Sequence, residues 1–275
     1  MDSKELALWM RRNEIELVHK THASHVGAML SVTDILAVLY ADVLHYDPDN
    51  PKWDGRDRLV LSKGHAGVAV YCALAACGFI TEEQLMTYYQ DGSYFSGHVS
   101  HKNVPGVEFS TGSLGHGIAV ACGMALAAKQ QEKQHRIYAI VGDGECEEGI
   151  VWESALISAH QKLNNLIVIV DHNHMQAMGD CDEVAGLGSL RDKWHSFGWN
   201  VVEVADGNDH TQLLEAFSKI AENKPTCVIA HTVKGKGVSF MENNLLWHYR
   251  DPQGEFYDRA MMELKNNEEH SGQSN

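Results

Sequence analysis

Two stretches decide the architecture: Ile137-Tyr138-Ala139-Ile140-Val141-Gly142-Asp143-Gly144, and Leu166-Ile167-Val168-Ile169-Val170-Asp171-His172-Asn173. Each is an unbroken apolar run that stops abruptly in polar residues. A strand that is apolar at every position is buried on both faces, which is the condition of a parallel strand inside an α/β sheet. Ile150–Leu163, between them, has helical spacing. Asp143 and Asn173 are 30 residues apart, enough for strand, crossover helix and strand, so both fall at the same edge of one sheet.

The pattern continues outward. Arg58–Leu61, Asn200–Val204 and Thr226–His231 read as further strands. Helices are expected over Leu6–His19, Ser31–Leu44 (with Asp34 in its first turn), an Ala-rich segment ending near Gly78, Thr81–Tyr89, Leu114–Gln131, Leu190–Phe197 and His210–Glu222. Residues 45–56 and 91–113 read as loop. This alternation predicts an α/β fold, a doubly wound, mostly parallel sheet with helices on both faces. Ligands of such sheets bind beyond the carboxyl ends of the strands. No repeat or linker interrupts residues 1–265, which read as a single domain, and residues 266–275 as a polar, frayed tail.

Composition narrows the function. The 275 residues carry 22 Lys+Arg against 37 Asp+Glu, a net charge of −15. Such a surface repels phosphate backbones and anionic membranes, so neither nucleic acid nor membrane is an expected partner. The six cysteines form no C-x-x-C pair, which fits buried thiols in a reducing compartment. The charged start MDSKELALWMRR has no apolar signal core, and the apolar runs near Val70–Ile80 and Ile118–Ala128 are too short to span a bilayer. A soluble, cytoplasmic protein is expected.

The chemistry concentrates at the strand ends. An Asp carboxylate and an Asn carbonyl are hard oxygen donors suited to Mg²⁺ or Ca²⁺. Asp143 and Asn173 would leave the remaining positions to a backbone carbonyl, water and phosphate oxygens. Gly142 and Gly144 let the backbone approach a phosphate, and a helix opening near Gly149 adds N–H donors. An ordinary βα turn containing G-D-G is the plain alternative, and Asn173 at the matching strand end argues against it. Gly112-x-x-Gly115-x-Gly117 is not a dinucleotide fingerprint, because its spacing is wrong and no clear strand precedes it.

With those residues in view, the sequence resembles the thiamine diphosphate enzymes, and within them the transketolase family. The resemblance rests on Leu61-Ser62-Lys63-Gly64-His65-Ala66, Thr111-Gly112-Ser113-Leu114-Gly115-His116-Gly117, Gly142-Asp143-Gly144-Glu145-Cys146-Glu147-Glu148-Gly149 and the later Asn173. It runs from about Leu6 to Tyr249. It implies the thiamine diphosphate-binding fold and a metal held by Asp143, Asn173 and the backbone of Met175. It also implies cofactor contacts from His65, Gly112, Leu114, Gly142, Asp143, Gly144, Glu145, Asn173 and His248. Among the 17 histidines, His25, His65, His98 and His248 fall on the family's active-site positions. His65 and His248 would reach the diphosphate, and His25 and His98 the sugar. Glu148 would link to a glutamate of the pyrimidine-binding domain across an interface. His101, His116, His172 and His174 have no assigned role. A zinc site is conceivable at the last two, which flank Asn173, but no Cys/His spacing of the usual kind supports one.

The resemblance covers the diphosphate-binding part of the family. The pyrimidine-binding part supplies a glutamate that activates the cofactor, so the chain is expected to be the N-terminal subunit of a two-chain transketolase, assembled as α2β2. The reaction implied is transfer of a two-carbon ketol unit from a ketose, phosphorylated in the usual case, to an aldose. A carboligase subunit resembling 1-deoxyxylulose-5-phosphate synthase, or a silent cofactor-binding partner protein, are the alternatives. Four positions depart from the family: Ser24-His25-Val26-Gly27 where Gly-His-Pro-Gly is usual, His172 before Asn173, Ala177 where a larger aliphatic residue supports the cofactor's bend, and Tyr249 after His248. They bear on sugar specificity more than on the metal.

Overall fold

The computed structural model describes the backbone of residues 1–271, with side chains to 267. In chain order the helices are α1 (Ser3–Thr21), α2 (Val26–Val38), α3 (Gly67–Ala76), α4 (Glu82–Leu85), α5 (His116–Gln130), α6 (Gly149–His160), α7 (Cys181–Val184), α8 (Leu190–Ser196), α9 (His210–Phe217) and α10 (Glu255–Ser271). The strands are β1 (Arg58–Leu61), β2 (Ile137–Gly142), β3 (Leu166–His172), the two-residue pair β4 (Met175–Gln176) and β5 (Gly179–Asp180), β6 (Asn200–Val204) and β7 (Thr226–His231). The main sheet has the order β1-β2-β3-β7-β6 and is parallel throughout. That is the doubly wound α/β architecture expected from the sequence.

The alternation of side chains along the pleat explains why the strands are apolar at every position. Tyr138, Ile140, Ile167, Ile169, Val228 and Ala230 pack on one face against α1, α2, α3 and α9. Ile137, Ala139, Val141, Leu166, Val168 and Val170 pack on the other against α5, α6 and α8. The span Val26–Val43 has the length and mean hydropathy (1.7) of a membrane-crossing helix, yet 83% of it is buried inside the protein. Its apolarity is that of a core helix. A buried polar network fixes it: Asp34 accepts two hydrogen bonds from the Arg11 guanidinium of α1 and others from Asn208 and His210.

Several helix limits differ from the sequence reading, and three of them have a clear physical reason. α2 starts at Val26, before the expected Ser31, so Asp34 lies well inside it. The cap is tertiary: His25 adopts φ 76° and donates its N–H to the His248 carbonyl at 2.8 Å. α4 has the Thr81–Gln84 capping box but ends after one turn, short of Tyr89, which takes φ 55°. The chain expected to fray from residue 266 instead continues α10 to Ser271, anchored by Ala260 and Leu264 in the core. Residues 272–275 of that tail lie outside the described residues.

Candidate active site

At the carboxyl edge of the sheet a cleft of about 240 Å³ opens. Loops far apart in the chain converge on it, as the rule for parallel sheets requires. His25 caps α2. His65 sits on the 3₁₀ turn after β1, and this turn approaches the 111–112 segment so closely that a Cβ on Gly64 would lie 2.5 Å from the Thr111 carbonyl oxygen. His248 is on a 3₁₀ turn near the C-terminus, and His98 belongs to the irregular 91–113 segment. The four imidazoles come together: ring centroids lie 5.2 Å apart for His25–His65, 5.8 Å for His25–His98, 5.1 Å for His25–His248 and 6.1 Å for His65–His248.

Their electrostatics follow from burial beside ammonium groups. Burial, His98 and Lys234 push His25 down to about 4. Burial, Lys234 and His25 push His248 down to about 3. His65 lies well below its ordinary value, through burial first and then the charge of Lys63. Each of these three rings is therefore neutral near pH 7 and can donate at one nitrogen while accepting at the other.

The second half of the cleft is oxygen-rich. Asp143 ends β2, buried, and accepts hydrogen bonds from the Gly144 N–H (2.8 Å), the His174 N–H and His172 Nδ1 (3.2 Å). Burial alone would raise its carboxyl, but the hydrogen bond and charge of His172 hold it below the ordinary carboxylate range. Asn173 is buried after β3, donates to Ser31 Oγ (3.3 Å) and uses Oδ1 to accept from the Met175 N–H (3.1 Å). The Met175 carbonyl also faces the cleft side, accepting from Lys234 Nζ at 3.0 Å. Carboxylate, amide and peptide oxygens form a hard donor set that suits Mg²⁺ or Ca²⁺. A Cβ on Gly142 would meet nothing nearer than Glu145 Cβ at 4.0 Å, so its open face leaves a cradle for an anion. At Gly144 a Cβ would lie 2.9 Å from Gln176 Cβ, so that glycine serves packing. The residues thus fit a metal–diphosphate group.

Two expected residues behave differently from the rest. Glu145 borders the cleft, but its carboxylate is already used by Ser62 Oγ and the N–H groups of Gly115 (2.7 Å) and Gly142 (3.1 Å). It ties three loops together from within the cleft lining, with Oε2 accepting a single hydrogen bond. Glu148 is exposed at the N-cap of α6, outside the cleft, and Gly149 beside it is exposed as well. The turn following Asp143 is a 3₁₀ segment, so the α6 terminus stands one turn further away. Gly112 and Leu114 do line the cleft, as does Ala177. His101 and His116 do not.

Sequence reasoning missed three buried charges. Lys63 Nζ donates to Asp171 and to the Ala28 carbonyl (3.2 Å). Asp171 also accepts from Ser31 Oγ (2.6 Å) and Thr232 Oγ1. Lys234, 2% exposed, reaches Met175 and lies 3.1 Å from His248 Nδ1. Burial and then Lys63 lower it from 10.5 to about 8. Two buried lysines put ammonium groups at one cleft of a protein of net charge −15; Lys63 is paired with Asp171, and Asp143 and Glu145 line the same cleft, so Lys234 is the ammonium best placed to meet an anionic ligand.

A parallel sheet with an anion cradle, a hard-metal donor set and clustered neutral histidines at its carboxyl edge defines a diphosphate-binding α/β domain. Residues 3–250 match the family described as transketolase, thiamine diphosphate binding domain. The chain belongs to the transketolase family. It is 43% identical to one of the subunits of the apulose-4-phosphate transketolase of Phocaeicola vulgatus, over 92% of this chain and 90% of that one. It is 39% identical to the 6-deoxy-6-sulfo-D-fructose transketolase subunit of a Clostridium species, over 96% and 97%. Among solved structures, the transketolase of Campylobacter jejuni superposes with a TM-score of 0.90 at 32% identity, covering 96% of this chain. The chain spans 42% of that enzyme's length.

Proposed function

We propose that this domain binds thiamine diphosphate with Mg²⁺ or Ca²⁺ and acts as the N-terminal subunit of a two-chain transketolase, moving a two-carbon ketol unit from an anionic ketose to an aldose. The observation that carries the reading is the convergence of His25, His65, His98 and His248 with Asp143, Asn173, the Met175 carbonyl and the Lys234 ammonium on one cleft. Two relatives that this chain matches over nearly their whole length are named as transketolase subunits for a sugar phosphate and a sulfonated sugar. Their names support a separate partner chain, with α2β2 as the proposed assembly, and an anionic donor.

When bound, thiamine diphosphate supplies the carbon nucleophile that breaks the ketose C–C bond and carries the two-carbon fragment. The chain's own groups do the rest. Asp143, Asn173 and the Met175 carbonyl would hold the cation, which would offset the charge of the diphosphate. The open backbone at Gly142, together with Lys234, His65 and His248, would meet the diphosphate oxygens. His25 and His98 face the part of the cleft left for the sugar. The neutral His25 imidazole can take a proton from a hydroxyl and return it to a carbonyl oxygen. Leu114 gives an apolar surface on which a bent cofactor can rest.

The test is ketose–aldose transfer with saturating Mg²⁺ and thiamine diphosphate, using this chain with and without its neighbouring pyrimidine-domain subunit. Turnover should need both chains, because the activating carboxylate is proposed to come from the partner. Equal turnover by this chain alone would refute the two-chain reading, and no transfer by the mixture would favour a silent cofactor-binding protein.

A further inference from the structure

Three histidines outside the cleft stand together at the same sheet edge. His172 ends β3, His174 follows it at φ 63°, and His231 ends β7. Closeness in sequence supplies only the first pair. The β3–β7 register supplies the third, because it places His231 directly opposite His172. Ring centroids are 4.0 Å apart for His172–His174, 4.9 Å for His172–His231 and 5.8 Å for His174–His231. One nitrogen from each ring lies within 4.8 Å of the other two, the one such group of potential metal ligands among the described residues.

We propose that His172, His174 and His231 form a second metal site, selective for a borderline divalent transition ion such as Zn²⁺ and distinct from the oxygen-donor site at Asp143 and Asn173. Three atoms no more than 4.8 Å apart share a point within about 2.8 Å of each. A Zn–N bond is about 2.0–2.1 Å, so rotations that move each nitrogen by under an ångström close the site. Imidazole is a poor ligand for Mg²⁺ and a good one for Zn²⁺, Ni²⁺ and Cu²⁺, so the two neighbouring sites divide ions by donor chemistry. Two of the rings already rest on carboxylates. His172 Nδ1 lies 3.2 Å from Asp143, and His231 Nε2 lies 3.3 Å from Glu203. Such contacts orient a ring and leave its other nitrogen for the metal. His174 is exposed and His231 is one-third exposed, giving the ion a path in and a fourth position for water. The ion would clamp the connection carrying Asn173 and Met175 onto β7.

The experiment uses the full chain, stripped with chelator and free of thiamine diphosphate, dialysed against micromolar Zn²⁺ in excess Mg²⁺. One equivalent should bind. His231→Ala and His174→Ala should each weaken binding at least about tenfold, while His65→Ala, in the cleft, should leave it unchanged. Co²⁺ in the unmodified chain should give the intense visible bands of a four-coordinate nitrogen site, a readout that does not depend on any variant folding. No uptake, uptake indifferent to His231→Ala in a protein with unchanged circular dichroism, or the pale spectrum of oxygen-bound Co²⁺ would each overturn the proposal. So would uptake abolished by Asp143→Ala but untouched at His231, since the ion would then sit in the diphosphate site.

Discussion

Replacing Lys234 with methionine keeps the length of the side chain and removes a charge that the ligand-free fold tolerates poorly. Burial, reinforced by Lys63 and only partly offset by Asp143 and Asp171, lowers the ammonium from 10.5 to about 8. That interval corresponds to about 3 kcal/mol against the charged form in the folded chain. Methionine relieves it but leaves the Met175 carbonyl and His248 Nδ1 without their partner, a loss on the order of 1–3 kcal/mol. The two effects nearly cancel at pH 7, so the variant should lie within about 2 kcal/mol of the wild type, although its side chain is among the most buried in the protein. The pH dependence separates them. Between pH 8 and 10.5 the unfolded wild type holds a proton on this lysine that the folded chain has lost, so the lysine's contribution to stability rises with pH. The variant has no such proton. The buried thiols and phenols titrate alike in both proteins, so their effect drops out of the difference. Urea unfolding at pH 7 and pH 10 should show the wild type gaining most of that 3 kcal/mol relative to Lys234→Met. A gap that stays constant to within 1 kcal/mol would refute the electrostatic account. In the same variant, thiamine diphosphate should bind about 10- to 100-fold more weakly, because a charge-assisted contact to an anion is worth about 1.5–3 kcal/mol.

Asp143→Ala should lose Mg²⁺-dependent thiamine diphosphate binding by calorimetry of the assembled enzyme, since it removes the charged cation ligand; unchanged affinity would reject the site. His25→Ala and His98→Ala should lower turnover by about 10²- to 10⁴-fold with little change in cofactor affinity, whereas His65→Ala should weaken the cofactor itself. Steady-state kinetics on the three variants separates these roles, and full turnover in both sugar-facing variants would contradict them. With His25 near 4 and His248 near 3, the unfolded chain takes up protons below about pH 6.5 that the folded chain refuses. Ligand-free stability should therefore fall from about pH 6.5 to pH 4. A diphosphate beside His248 raises its proton affinity, so binding near pH 5–6 should consume protons in calorimetry across buffers of different ionisation heat; net release would count against the assignment.

The sheet was legible because burial on both faces leaves no alternative to a run such as Leu166–Val170. The meeting of Asp143 and Asn173 was legible because both follow strands that must end at the same edge of that sheet. What escaped reading depended on partners distant in sequence. The start of α2 is fixed by the carbonyl of His248, which no local cap signal announces. Glu145 reads as a ligand in its motif, and its hydrogen bonds to Ser62, Gly115 and Gly142 add a loop-tying part that the motif does not announce. Lys63 and Lys234 stand in plain view in Ser62-Lys63-Gly64 and after Thr226–His231, and only the fold shows them buried together. A lysine two or three residues after a buried strand is the signal that could have found them. His231 joined His172 and His174 through strand order alone.

The cleft takes its groups from near both ends of the chain, from His25 to His248, so nearly the whole chain must fold before it exists. Occupancy and global folding are consequently one equilibrium. A ligand at a thousandfold excess over its dissociation constant adds about 4 kcal/mol to the stability of the whole molecule, not of a loop. An increment of that size changes the unfolded fraction about a thousandfold, and the unfolded fraction is what proteases consume. Where the cleft is filled as proposed, the abundance of this chain in a cell would follow the supply of its ligand, with scarcity removing the protein rather than leaving an idle stock.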